Sequence, residues 1–301
     1  MENIWAKLSN ELAEVSAGVG KSVVGVHGTR HPSSGIVIAA DAVVAASHAV
    51  RRDDEITVIT APGQRLPARV GGRDPSTDLV VLRLEHAIDA PLARWASTSN
   101  LRVGELVLAL ARTRRGYVVA SSGILSGLIN APMRTWRGGE IDQFIRPDLN
   151  LYPGFSGGPL VSGLGELLGM NTAGLHRSGI TVPSATVQRV AAELLEKGGV
   201  QRPYLGLAMQ TVPLPESLRT RLNLTASDGL LVTHVEPGSP AEKTGILLGD
   251  VLVKMGDQSV SDTESVQHIL RAHKAGDSVA VSLVRGGAML AVSIRLEARA
   301  A

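Results

Sequence analysis

Between residues 22 and 183 the chain is a succession of short apolar runs, each broken by a turn, with no helical stretch between them. "SVVGVHG", "GIVIAADAVVAAS", "EITVIT", "LPARVGG", "DLVVLRLE", "ELVLALA" and "YVVASSGILSGLI" come first, followed by "DQFIRPDL", "GPLVSG", "ELLGMNTAG" and "GITVPS". Runs of this length and spacing read as strands, and without crossover helices they pair antiparallel in a sandwich or barrel. The composition suits such a fold. The 33 glycines supply turns, and with 2 Phe, 3 Trp and 3 Tyr the core falls to Val, Leu, Ile and Ala.

Helical texture lies on either side of this region. Ile4, Leu8, Leu12 and Val15 recur near helical spacing, which predicts an amphipathic helix over 1–18. "SATVQRVAAELLEKGG" predicts a second over 184–197, with Ser184 as its N-cap, Val187, Val190, Ala191, Leu194 and Leu195 as its apolar stripe, and Gly198 and Gly199 as its stop. We place the end of the first domain at 199, a linker "VQRP" at 200–203, and a smaller α+β domain at 204–301. Its strands are "YLGLAMQ", "GLLVTHV", "DVLVKMG", "SVAVSLVRG" and "AVSIRLE". "SPAEKTG" and "SDTESVQHILRAHKAG" are helical, the latter with Ser261 and Glu264 as a capping box and Val266, Ile269, Leu270 and His273 on one face. The sequence shows no long internal repeat.

Several function classes are set aside by simple counts. Thirty basic against 28 acidic side chains leave a formal charge of +2, too even to argue for a nucleic-acid or anionic-membrane partner. "RR" at 51–52 and "RTRR" at 112–115 read as solvated loop charge, and Asp53, Asp54 and Glu55 as a solvated strand entry. Without cysteine there is no disulfide, thiolate metal site or cysteine nucleophile. His27 and His31 are four apart, but they straddle a turn with no carboxylate near, so no metal is expected. The opening "MENIWAKLSNELAEVSAGV" lacks a signal peptide's basic start and apolar run, so the chain reads as cytoplasmic as written, or periplasmic or exported if trimmed. No stretch approaches the ~20 apolar residues of a membrane-spanning helix.

The chemistry centres on "YPGFSGGPLV", where Ser156 sits among glycines. A hydroxyl becomes a useful nucleophile only when a positioned base takes its proton and donors await the oxyanion. "VVAASHAV" places His48 just beyond an apolar strand, and "DPSTDLVVLRLE" places Asp78 at the mouth of another. Asp78 follows His48 by 30 residues and Ser156 follows Asp78 by 78, in the His, Asp, Ser order of chymotrypsin-type double barrels. Gly154 lacks a Cβ, so its N–H can join that of Ser156 as an oxyanion hole.

These three stretches, with "YPGFSGGPLVSGLGELLGMNTAG" read through to its end, resemble the His, Asp and Ser signatures of the HtrA (Deg) family. Its members are trypsin-like serine proteases carrying a PDZ domain. The resemblance runs from about Val15 to the end, and "VEPGSPAEKTGILLGDVLVKMGD" matches the PDZ domain's most distinctive stretch. It implies a mainly β chain: a chymotrypsin-like double β-barrel followed by a smaller α+β PDZ domain. It implies catalysis by Ser156, His48 and Asp78, an oxyanion hole at Gly154 and Ser156, and no metal or cofactor. Gly179, Ile180, Thr181 and Val182 would run beside the substrate as an antiparallel strand and wall the specificity pocket. A peptide's C-terminal carboxylate would bind Tyr204, Leu205, Gly206 and Leu207, with its last side chain in a pocket of Val266, Ile269 and Leu270 beside a helix from Asp262 to Ala275.

The implied function is an ATP-independent serine endopeptidase of protein quality control, cleaving unfolded or damaged polypeptides, with a homotrimer as the family's assembly. The alternative is a proteolytically inactive peptide-binding scaffold or chaperone on the same fold. Three departures from the family pattern stand out. Phe155 replaces the usual Asn or Asp before the nucleophile, "RTRRG" replaces an Asn-Pro-Phe-Gly type loop, and the N-terminal helix offers only Trp5 of an extended aromatic segment.

Overall fold

The computed structural model describes residues 3–28, 32–50, 56–61, 63–92, 94–135, 139–176, 179–199 and 201–300. His31, the basic pair at 51–52 and Asp53, Asp54 and Glu55 lie outside the described residues. The chain divides into two compact units, with the division between residues 200 and 201.

The first unit opens with helix α1 (Ile4–Gly20), of which only the C-terminal half meets the core. Leu12 and Val15 pack there and Val19 is buried, whereas Ile4 is 74% exposed. Six strands follow: β1 (Val23–His27), β2 (Ser33–Ala39), β3 (Ala42–Ala46), β4 (Ile56–Ile59), β5 (Arg65–Asp74) and β6 (Leu79–Leu84). They close as an antiparallel barrel in the order β1-β2-β3-β6-β5-β4. The next eight are β7 (Leu106–Arg112), β8 (Val118–Ile129), β9 (Met133–Arg134), β10 (Glu140–Ile141), β11 (Phe144–Asp148), β12 (Pro159–Ser162), β13 (Leu167–Thr172) and β14 (Ile180–Pro183). The β9–β10 hairpin stands apart, and the other six close a second barrel, β7-β8-β11-β14-β13-β12. Counted from its own first strand, each barrel runs 1-2-3-6-5-4. The repeat that the sequence hides is a repeat of topology, because short apolar strands can be written with many unrelated residues.

Helix α2 (Ser184–Lys197) ends this unit, stopped by Gly198 at φ 71°. Its N-cap is Pro183, and Ser184 is the buried first helical residue, whose hydroxyl donates to the Ala96 carbonyl at 2.6 Å. This corrects the expected serine cap: the hydroxyl ties the helix to the barrel instead of closing its own first turn.

In the second unit the stretch read as a linker is a strand. β15 (Gln201–Tyr204) pairs along its length with β22 (Glu297–Ala300). The remaining elements are β16 (Leu207–Pro213), α3 (Glu216–Leu222), β17 (Asp228–Val235), α4 (Pro240–Lys243), β18 (Val251–Met255), β19 (Gln258–Ser259), α5 (Thr263–Arg271), β20 (Ser278–Arg285) and β21 (Ala288–Arg295). The main sheet runs β16-β17-β18-β20-β21, so β16 is an edge strand. Helix α3 is an element that the apolar periodicity does not predict. It has only seven residues, yet its signals are present: Pro215 before it, Glu216 in its first turn, and Asn223 left-handed at its end. Helix α5 is capped by Asp262, whose carboxylate accepts the Ser265 N–H at 2.7 Å, in place of the expected Ser261–Glu264 box. A carboxylate at a helix N-terminus also meets the dipole, which a hydroxyl cannot do.

Candidate active site

The first barrel brings two chemical groups together by strand register alone. Strands β3 and β6 pair antiparallel with Ala46 opposite Leu79. His48, in a 3₁₀ turn just past β3, therefore lies beside Asp78, the residue that leads into β6. His48 Nδ1 is 2.6 Å from Asp78 Oδ2, and the His48 backbone N–H donates to Oδ1 at 2.8 Å. A neutral imidazole that donates from Nδ1 presents the Nε2 lone pair outward, which is the tautomer a general base needs.

Asp78 is fully buried and holds φ at 60°. A non-glycine residue in this region costs on the order of 1–3 kcal/mol, which surrounding bonds must offset. Here they do. The Asp78 carbonyl accepts the Ser47 N–H at 2.9 Å, and Oδ2 also accepts from the Thr172 hydroxyl, which belongs to the second barrel. The approach to Asp78 is rigid too. Buried Asp74 accepts from the Ser76 N–H and the Ser76 and Thr77 hydroxyls, so the "DPSTD" turn is bonded internally. On the histidine side, Arg73 donates to the carbonyls of Ser47 and Val50, bracketing the turn that carries His48.

The second barrel carries Ser156 in the loop before β12. Tyr152 to Phe155 form a turn closed by the Phe155 N–H on the Tyr152 carbonyl at 3.0 Å, with Pro153 first and Gly154 at φ 111° second. That is the pattern of a type II turn, in which the second central residue needs positive φ. The next two glycines are required by close approach. A Cβ on Gly157 would lie 2.0 Å from the Ser34 carbonyl, and one on Gly158 2.1 Å from that of Leu110. Phe155 is 3% exposed and enters the second barrel's core with Leu149, Leu151, Leu160 and Leu168. The apolar residue thus anchors the loop by burial where a polar one would do so by hydrogen bonding.

Ser156 Oγ accepts the Ala173 N–H at 3.3 Å. Among the described residues no hydrogen bond joins it to His48. The serine and the His48–Asp78 pair are thus held by opposite barrels, each with its own supports. Gly174, beyond β13, closes over the pair: a Cβ there would stand 2.5 Å from His48 Nδ1 and 2.6 Å from Asp78 Oδ2.

Other expected site residues lie elsewhere than anticipated. Strand β14 pairs with β13 throughout and with β11 at Thr181, and Ile180, Thr181 and Val182 are buried. Its main chain is therefore occupied, which corrects the reading of Gly179 to Val182 as the strand beside a substrate. The strand ladder ends at Thr172, and the Ala173 N–H just beyond it is engaged by Ser156 Oγ and not by a neighbouring strand. In the second unit Tyr204 belongs to β15 and Leu207 opens β16. The carbonyls of Leu205 and Gly206 are taken by the N–H groups of Ala241 and Glu236, at 3.0 and 2.8 Å. A planar trans peptide then sends the Gly206 N–H to the opposite side. Gly206 has φ 79° and a Cβ there would lie 2.1 Å from that of Ser239, so only glycine fits. Val266, Ile269 and Leu270 are 1%, 4% and 5% exposed and fill the unit's core, which corrects their reading as an open pocket. The apolar stripe of α5 packs inward with Leu205, Leu207 and Met209. His268 is exposed, and His273 Nδ1 contacts the Ile269 carbonyl at 2.9 Å.

Sequence reasoning overlooked Thr172, Gly174, Ser34, Arg73 and Asp74. Thr172 and Gly174 lie in the quoted "GMNTAG", but their roles depend on contacts that no spacing encodes. "RTRR" was misread at its first residue. Arg112 is 3% exposed and donates to the carbonyls of Gly20, Val23, Ala61 and Gly116. Burial lowers its pKa from the ordinary arginine value.

Comparison with known proteins agrees with this geometry. Residues 33–170 match the trypsin-like peptidase domain family and residues 203–296 the PDZ domain family. The chain belongs to the HtrA (Deg) family. It is 31% identical over 269 residues to the serine protease Do-like HtrA of Lactobacillus helveticus, spanning 85% of this chain and 65% of that protein. It is 32% identical over 273 residues to a probable periplasmic serine endoprotease, DegP-like, of Marinomonas, spanning 88% and 57% respectively. The chain thus spans between about half and two thirds of the length of these curated relatives. The solved HtrA-type protease AlgW with a decapeptide has the same fold at TM-score 0.72 and 23% identity, over 96% of this chain and 99% of that one. The serine endoprotease from Yersinia pestis superposes at TM-score 0.72 and 24% identity, over 95% and 97%. This HtrA chain is mainly β, two closed barrels followed by a PDZ domain. Among the described residues no helix is long and apolar enough to cross a membrane, and no cluster of three or more metal-binding side chains is present.

Proposed function

We propose that this chain is a serine endopeptidase acting through an acyl-enzyme on Ser156. The observation that carries the reading is the hydrogen-bonded pair of buried Asp78 and partly exposed His48 on one barrel, beside the loop of the other that bears Ser156. In this reading Ser156 attacks the scissile carbonyl, and His48 Nε2 takes the serine proton and returns it to the leaving amine. Asp78 holds the tautomer and stabilises the imidazolium, and the N–H groups of Gly154 and Ser156 receive the oxyanion. In this reading the Ser156 side chain turns from the Ala173 N–H toward His48 for the attack. With the Ser156 side chain turned away, the Ala173 N–H pairs with substrate main chain, and β14 walls the pocket.

The substrates are unfolded or damaged polypeptides, and the PDZ domain takes peptide C-termini along the free edge of β16, with the carboxylate at the loop of Tyr204 to Leu207. Opening a place for the last side chain beside Val266, Ile269 and Leu270 requires α5 to shift from β16. We place the domain boundary at 200. The "periplasmic" in several relatives' names supports an exported setting. Trp5, 75% exposed on α1, is the residue on which a homotrimer would rest. The relatives' names are those of proteases, and none supports a silent scaffold.

Casein cleavage and fluorophosphonate labelling of wild type against Ser156→Ala test the reading. Cleavage and labelling by wild type alone are expected. Equal cleavage by both variants overturns the assignment of the nucleophile.

A further inference from the structure

The oxyanion turn is held from the first barrel by a residue that no catalytic motif contains. Ser34, second in β2, is fully buried. Its N–H donates to the Ser156 carbonyl at 2.9 Å. Its hydroxyl donates to the Gly154 carbonyl at 2.7 Å and accepts the Arg112 N–H at 3.0 Å. The proton's direction is fixed, because a backbone N–H only donates and a carbonyl only accepts.

This bond has a consequence for the donors beside Ser156. The peptide unit between Gly154 and Phe155 is locked at both ends, its carbonyl on Ser34 and its N–H on the Tyr152 carbonyl. The Gly154 N–H belongs to the preceding peptide unit, which turns about ψ of Pro153 and about the glycine φ, the pivot held here at 111°. Releasing the Gly154 carbonyl frees that pivot, and glycine readily populates the alternatives. Arg112 in turn cannot drift. Its guanidinium is fixed by four carbonyls that belong to the end of α1, the start of β1 and two turns.

We propose that Ser34 is a positioning residue for hydrolysis, with its hydroxyl, oriented by the Arg112 N–H, keeping the Gly154 N–H aimed at the oxyanion. This rests on the assignment of Ser156 as nucleophile and Gly154 as oxyanion donor. Losing a donor outright costs about 10²–10³ in kcat, so loosening its aim costs less, about 10–100-fold.

The test compares wild type, Ser34→Ala, Ser34→Cys and Ser156→Ala on a fluorogenic peptide with an apolar residue before the scissile bond. Binding of a valine-ended tripeptide aldehyde, which forms an oxyanion with the serine, is measured beside that of its alcohol, which does not. We expect Ser34→Ala to lower kcat with KM within about twofold, and to weaken the aldehyde by the same factor while leaving the alcohol unchanged. Ser34→Cys, similar in volume but a weak donor, falls between, and it decides the matter should the alanine variant fail to fold. A folded variant with unchanged kcat overturns the proposal, as does equal weakening of aldehyde and alcohol. Activity retained by Ser156→Ala overturns the site assignment itself, whatever Ser34 does.

Discussion

The two barrels of the first unit follow one topology, yet the same seam is built differently in each. Between the third and sixth strands, barrel one is zipped over five residue pairs, Ala42–Arg83 through Ala46–Leu79. The matching seam of barrel two, β11 against β14, has one pair, Ile145 with Thr181. The tight seam ends at His48 and Asp78. The loose one leaves β14 joined to β11 at a single residue pair. An acid–base pair needs separations fixed to tenths of an ångström, which a strand ladder supplies. Ser156, the nucleophile we propose, sits instead on a loop, and a loop has to be secured by other means. Here those means are Phe155 in the core of barrel two, the close approach at Gly157 and Gly158, and the bonds from Ser34 across the barrel boundary.

The largest effects should come from the two halves of the pair of barrels taken in turn. Ser156→Ala should lower peptide hydrolysis by about 10⁶-fold, measured as kcat on a fluorogenic peptide. Asp78→Asn should lower it by about 10⁴-fold with the fold intact, since asparagine tolerates the left-handed backbone but favours the wrong imidazole tautomer. Were the asparagine variant as dead as the alanine one, barrel one would be supplying more than orientation. Gly174→Ala sharpens the comparison, because it pushes on the His48–Asp78 pair from the second barrel's chain. Displacing the imidazole by an ångström should lower kcat by about 10²-fold, with circular dichroism and KM nearly unchanged.

Two arginines then separate structural roles. Arg112→Met leaves four backbone carbonyls without their donor, and should cost about 3 kcal/mol or more, seen as a lower Tm. Arg83→Met removes a half-exposed pair with Asp41 at 2.8 Å, and should change stability by less than about 0.5 kcal/mol in the same assay. Equal effects would show that the seam around Arg112 is no more demanding than the surface.

How far these features were legible depends on whether they are local. The short apolar runs bounded by turn residues identified every strand of both barrels, because a strand buried on both faces is a continuous apolar stretch of the sequence. The His, Asp and Ser contexts were legible because each lies next to a strand end in its own segment. Ser184 was misread as a cap, and Asp262 passed over, because a cap is chosen by the competition among neighbouring polar groups for the same N–H. Arg112 was misread because a solvated arginine and one enclosed by four carbonyls look alike in a string. Val266, Ile269 and Leu270 were rightly seen as one apolar face, but a face does not say whether a core or a ligand covers it.

Local sequence sufficed for the mainly β architecture, the two-part organisation and the three residues we propose as catalytic, since apolar strand runs, turn residues and nucleophile context are all local. Only the tertiary structure decided that Thr172 bonds Asp78, that Gly174 closes over the imidazole, and that Ser34 holds Gly154. Ser34 and Gly154 are 120 residues apart, and Thr172 and Asp78 are 94. Contacts of that range are set by how two barrels close and meet, and barrel closure depends on the register of all six strands at once.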